Sequence, residues 1–183
     1  SALVYNPDRA GKLAWELVIG TLSYAARRLG EVSDSIVDID RDTGEVTPRR
    51  HICCDDAGTL VNPMIVDGQV HGGIASGIAQ AIMEEFAYDD DGNPLTANFM
   101  DYAIVSAAEL PSFERIEQET PTYRNPLGAK GVGESGTIGA TPSVQNAVVD
   151  ALSHLGVRHV DIPCTPQRVW RAMQDAPGSA KSA

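Results

Sequence analysis

The chain is 183 residues long with a formal net charge of −11 and an isoelectric point near 4.6. Such a surface repels phosphate backbones and argues against nucleic-acid binding. The length suits one domain or one lobe of a larger subunit, and no uninterrupted run of apolar residues is long enough for a membrane span.

Three cysteines, Cys53, Cys54 and Cys164, make no disulfide framework and no C-x-x-C pair, and the four histidines show no metal-ligand spacing. No metal site built from this chain's own side chains is therefore expected. Residues 1–8 lack the charged and apolar regions of a secretory leader, so a cytoplasmic protein is expected.

In chain order, residues 7–30 read as an amphipathic helix, with Ala14, Val18, Leu22, Ala25 and Leu29 at helical spacing and Gly30 as the stop. Residues 35–56 read as a β-hairpin turning at Arg41-Asp42-Thr43-Gly44, its acidic residues taken as solvated turn residues. Asn62 and Pro63 mark the N-cap and first position of a helix running to about Glu85. Val66, Val70, Ile74, Ile78 and Ile82 form its packing face, and Gln69, Gly73, Ser76 and Gln80 a small polar face. Gly68, Gly72, Gly73 and Gly77 fall inside it, and each glycine costs about 1 kcal/mol against alanine. Close helix–helix packing and close approach of a hydrogen-bonding ligand both account for them.

A second hairpin is expected over 86–99, a strand over 114–120, and a helix from Thr141 as N-cap with Pro142 at N1, ending at Gly156. A short strand follows at 159–162. Thr165 caps the last helix, whose Val169, Trp170 and Met173 are expected to face inward, and the tail from Pro177 is small and polar.

Between the strand at 114–120 and the helix from Thr141 lies the most informative stretch, 125–136, in which Glu134 stands among Gly131, Gly133 and Gly136. A glycine cluster reflects unusual dihedral angles or a backbone that must pass close to something bulky. The spacing matches G-x-G-x-x-G, but no hydrophobic strand precedes it. Lys130 is followed by glycine, so a P-loop is excluded.

Residues 125–140 resemble the active-site loop of the molybdenum hydroxylases, the family of xanthine dehydrogenase, aldehyde oxidase and aerobic carbon-monoxide dehydrogenase. The Gly-Val-Gly-Glu run at 131–134, the Asn62-Pro63 start, the Gly68-Gln69…Gly72-Gly73 helix with Glu84-Glu85, and the Asp40…Thr43-Gly44-Glu45-Val46 turn carry the resemblance. It implies an α+β fold, the C-terminal lobe of a molybdenum-cofactor-binding domain with β-hairpins packed against four main helices. Residues 1–34 would be a lead-in, 35–175 the lobe and 176–183 a flexible tail. It implies that Glu134 is the catalytic base beside the molybdenum, and that Gln69, Gly68 and Gly133 bind the cofactor, with Gly72 or Gly73 a further contact.

The implied cofactor is molybdopterin, as the cytosine dinucleotide, with molybdenum, shared with an upstream lobe of the large subunit. FAD and iron–sulfur clusters would sit on partner subunits and not on this chain. The implied reaction is hydroxylation of an aldehyde or N-heterocycle, or oxidation of CO, with oxygen from water and Glu134 accepting the proton. A non-catalytic structural or assembly subunit that keeps the fold without binding cofactor alone is the alternative. The Gln69 helix and the Glu134 loop are expected to face one shared cavity.

Overall fold

A computed structural model describes residues 31–177. The helix expected over 7–30, and residues 178–183 of the tail, lie outside the described residues. Within them run β1 (Glu31–Ile39), β2 (Val46–Asp56), α1 (Pro63–Ile82), β3 (Phe113–Gln118), α2 (Ser135–Ala151), a 3-10 turn (Ser153–Leu155) and α3 (Pro166–Asp175).

β1 and β2 are the expected antiparallel hairpin, pairing from Glu31↔Asp55 to Ile39↔Val46 with an irregularity at Ile36/Val37. Asp40 organises its turn by accepting from the Asp42 and Thr43 amides at 2.9 and 2.8 Å. β3 then adds beside β2 in parallel, His51 to Asp56 facing Phe113 to Gln118. A parallel neighbour requires a crossover connection, and α1 with residues 83–112 supplies it.

α1 is capped as its sequence indicates: Asn62 accepts from the Ile65 amide at 3.2 Å and Pro63 opens the helix. Its predicted apolar face is the core of the molecule. Val70, Ile74 and Ile78 are wholly buried, packed with Val144 and Val148 of α2 and Val169 of α3. Complete burial of one such side chain contributes roughly 1.5–3 kcal/mol.

α2 crosses α1 closely because Gly73 and Gly77 of α1 and Gly136 of α2 lie at the crossing. A Cβ on Gly136 would stand 2.4 Å from the Val70 carbonyl oxygen, and one on Gly77 2.7 Å from the Ala140 Cβ. Thr137 and Thr141 donate their hydroxyls to the Gly73 and Gly77 carbonyls at 3.0 and 3.2 Å.

Several expectations are corrected. α2 begins at Ser135, six residues before the Thr141-Pro142 pair, which lies inside the helix. Pro142 has no amide to give the Ile138 carbonyl, and Thr141 is occupied with α1 instead of capping. The 86–99 segment is a turn with a single bridge, Tyr88↔Pro94, and no ladder. Its Asp89 carboxylate gathers the Asp91 and Asn93 amides at 3.0 and 2.7 Å, which suffices to close it.

Residues 159–162 form no strand; the Val160 carbonyl accepts from the Gln145 side chain at 2.8 Å. Trp170 is 41% exposed, while Val169 and Met173 are buried as expected. The described residues hold three α-helices; the fourth expected one lies outside them.

Candidate functional site

The glycine loop is fastened before it reaches Glu134. The Asn125 side chain accepts from the Leu127 and Ala129 amides and donates to the Ala129 carbonyl at 2.9 Å. The Gly128 carbonyl accepts from the Thr59 and Thr122 amides at 3.1 and 3.0 Å, and the Lys130 amide donates to Ala57 at 2.9 Å. Here the loop crosses the residues that follow β2 so tightly that a Cβ on Gly58 would lie 2.2 Å from the Gly128 oxygen. Gly58 and Gly128 also have φ of 62° and 72°, a conformation disfavoured for residues with a Cβ.

Glu134 occupies the N-cap position of α2. Its carbonyl accepts from the Thr137 and Ile138 amides at 3.1 Å, and its side chain makes no capping hydrogen bond. The carboxylate is exposed and lines an open depression of about 710 Å³ with Asp56, Lys130, Gly133 and Ile138. Gln69 is exposed on α1 and is not among the residues lining that depression. Gln69 and Glu134 nevertheless stem from the two segments that meet at the Val70–Gly136 contact. The expected single cavity is thus, in this chain, one depression beside Glu134 and a separate exposed helix face at Gln69.

The glycines divide by what surrounds them. Gly77 and Gly136 are needed for the helix crossing, where a Cβ would clash, and a Cβ on Gly73 would sit tightly at 3.0 Å from the Thr137 nitrogen. Gly68 and Gly72 on α1, and Gly131 and Gly133 in the loop, have nothing within 4 Å of a built Cβ. The fold of this chain does not require glycine at those four positions. They leave bare backbone beside Gln69 and Glu134, which fits a bulky group lying against both segments.

Beneath the loop are residues whose importance the sequence did not reveal. Asp55 and Asp56 end β2 and are both buried, contrary to the expectation of solvated acids. Burial pushes the Asp55 carboxyl above its ordinary value, partly offset by contacts from Cys53, Ser135 and Arg115. Burial acts the same way on Asp56, but hydrogen bonds from Thr120, Gly58 and Lys130 outweigh it and hold that carboxyl below its ordinary value.

Deeper still, the Ser35 hydroxyl bridges His51 Nδ1 at 2.8 Å and Ser143 Oγ at 2.7 Å, tying the hairpin to α2. His51 Nε2 is buried without a hydrogen-bond partner, and burial lowers the ring's pKa to about 4. The run His51-Ile52-Cys53-Cys54-Asp55-Asp56-Ala57-Gly58 carried one legible signal: two acids at the end of an otherwise apolar strand.

Residues 30–111 match the family described as the molybdopterin cofactor-binding domain. The carbon monoxide dehydrogenase large chain of Hydrogenophaga pseudoflava is 46% identical over 140 residues, 76% of this chain and 17% of its own length. The nicotine 6-hydroxylase large subunit of Paenarthrobacter nicotinovorans is 42% identical over 75% of this chain and 17% of its own. Among solved structures, quinoline 2-oxidoreductase from Pseudomonas putida 86 superposes with a TM-score of 0.76 at 43% identity, covering 78% of this chain and 18% of that one. The chain thus spans under a fifth of the length of these relatives.

Proposed function

This chain belongs to the molybdenum hydroxylase family and matches part of its large, molybdenum-binding subunit; on that premise we propose that it forms one wall of the cofactor site and carries the catalytic base, Glu134. The carrying observation is the placement of four unobstructed glycines around two exposed side chains, Gln69 and Glu134, that make no side-chain hydrogen bond among the described residues.

Gly68 and Gly133, with Gly72 and Gly131, admit the cofactor against bare backbone, and the Gln69 amide hydrogen-bonds it. The cofactor is molybdopterin with molybdenum, in the cytosine dinucleotide form, and when bound it supplies the two-electron oxidation and activates the water-derived oxygen. The residues of this chain manage position and protons. A Glu134 Oε accepts a proton at the reacting centre, and the 128–136 loop holds that oxygen in place.

A carboxylate base works best when its pKa approaches the working pH. Glu134 is exposed in this chain, so the exclusion of water around it comes from the cofactor and from the rest of the large subunit. Iron–sulfur and FAD subunits carry the electrons away, and the assembly is cytoplasmic. The substrate is an aldehyde, an N-heterocycle or CO, with the oxygen from water.

Glu134→Gln in the assembled enzyme tests the base. The amide has nearly the same size but cannot accept the proton, so turnover should fall by ~10²–10⁴ while molybdenum and pterin content stay at wild-type levels. Near wild-type turnover in that variant would remove Glu134 from the role. Assembled protein purified without molybdenum or pterin would favour a structural subunit instead.

A further inference from the structure

We propose that Asp56 is a positioning residue for Glu134, a buried anchor that fixes the glycine loop to the end of β2; this rests on the assignment of Glu134 as the base. The Asp56 side chain is 1% exposed and saturated with donors. It accepts from the Gly58 amide at 2.9 Å, the Thr120 amide at 3.1 Å and the Lys130 ammonium at 3.0 Å, and from the Thr120 hydroxyl in a shorter contact. Lys130 Nζ also donates to the Thr120 hydroxyl at 2.7 Å. Three separate segments therefore converge on one carboxylate: the chain after β2, the chain after β3, and the loop itself.

The geometry makes this an anchor for the site and not merely for the fold. Between Lys130 and Ser135 the loop contains Gly131, Val132, Gly133 and Glu134; both glycines face open space, while Val132 packs against the core and its carbonyl accepts from the Ser135 hydroxyl at 3.0 Å. Around that one apolar contact, the loop's position is set from its ends. On the far side, Ser135 enters α2 and Gly136 seats on α1. On the near side, the Lys130 side chain reaches the buried carboxylate. Adjacent residues of a strand point to opposite faces; the neighbouring carboxyl of Asp55 contacts the Ser135 side chain, so the two acids grip the loop on either side of Glu134. A flexible loop would place the base with a tolerance that proton transfer does not permit.

The test uses the assembled enzyme with Asp56→Asn and Thr120→Val, each alone and combined with Glu134→Gln. Thr120→Val removes the hydroxyl between Asp56 and Lys130 from a partly exposed site outside the depression, and carries the test if Asp56→Asn does not assemble. The expected result is a kcat lowered about 10- to 100-fold at unchanged KM and molybdenum content. Amide hydrogen exchange should quicken in peptides covering 128–134 and stay unchanged in α1. In the Glu134→Gln background neither change should lower the residual rate further, because both act through one residue.

Wild-type kcat and wild-type exchange in both anchor variants would overturn the proposal, as would a fall of equal size in the Glu134→Gln background. If Glu134→Gln is inactive while the anchor variants are unaffected, the base assignment stands and the anchor alone falls. If Glu134→Gln keeps its rate, the base assignment falls and takes the positioning role with it.

Discussion

Gln69 and Glu134 are both exposed side chains on neighbouring segments, yet their chemistry separates them. Gln69 can only donate or accept hydrogen bonds, so Gln69→Ala should act through occupancy of the cofactor. Loss of a net hydrogen bond costs roughly 0.5–1.5 kcal/mol, a several-fold weaker hold. Molybdenum content and activity should then fall together, whereas Glu134→Gln should leave the first intact; metal analysis beside turnover distinguishes them.

His51 makes a different, purely structural prediction. Its folded pKa of about 4 lies below the ordinary 6.5 because the buried ring is poorly hydrated when charged. The unfolded chain therefore binds the proton more readily, and stability is full above pH 6.5 and is lost as pH falls through the window down to about 4. At about 1.4 kcal/mol per pH unit the loss approaches ~3 kcal/mol. Urea unfolding at several pH values should show it, and His51→Asn should flatten the slope over that window.

At the scale of elements, one glycine of α1 and one of α2 offer paired opposite outcomes. Gly68→Ala fills open space on a helix and should stabilise the cofactor-free chain by up to ~1 kcal/mol while lowering cofactor occupancy. Gly136→Ala forces a Cβ to within 2.4 Å of the Val70 carbonyl. Overpacking of this kind costs about 1–3 kcal/mol, and thermal unfolding should report it without any cofactor present.

The elements that were legible carried local signals. Asn62-Pro63 and Thr165-Pro166 both proved to be cap and first residue of a helix, and Thr43-Gly44 sits in the hairpin turn. Thr141-Pro142 has the same appearance but misleads, since α2 starts at Ser135 behind Glu134, whose side chain makes no cap. The earlier start depends on Gly136 fitting against α1, a contact between residues far apart in sequence. The parallel pairing of β2 with β3 is invisible for the same reason. Glu134 stood out through its glycines and through resemblance, but the roles of Asp56 and Thr120 exist only once their segments meet.

For the molecule as a whole, the surface is informative. Phe99, Met100 and Tyr123 are 88%, 93% and 91% exposed, and Met64 on α1 is 78% exposed. Phe99 and Met100 are adjacent in the chain, and exposed large apolar side chains of this kind suit a surface that a partner covers. On the function proposed above, the other parts of a large subunit would cover them. Expressed alone, the chain should self-associate in a concentration-dependent way in sedimentation velocity. Phe99→Ser with Met100→Ser should reduce that association without lowering the melting temperature; a strictly monomeric wild-type chain would count against the idea.

The contacts of Asp56 also set the order in which the molecule can be made. Its partners Thr120 and Lys130 stand 64 and 74 positions further along the chain. During synthesis the hairpin and α1 emerge long before either, so the end of β2 waits with a carboxylate that has no cation to neutralise it. Contacts across such separations require closing a long loop first and form slowly. Local elements can gather early, but the glycine loop cannot be seated until residue 130 has left the ribosome. A nascent chain stalled short of that residue should leave the hairpin's Asp56 end open to protease, and one released beyond it should close.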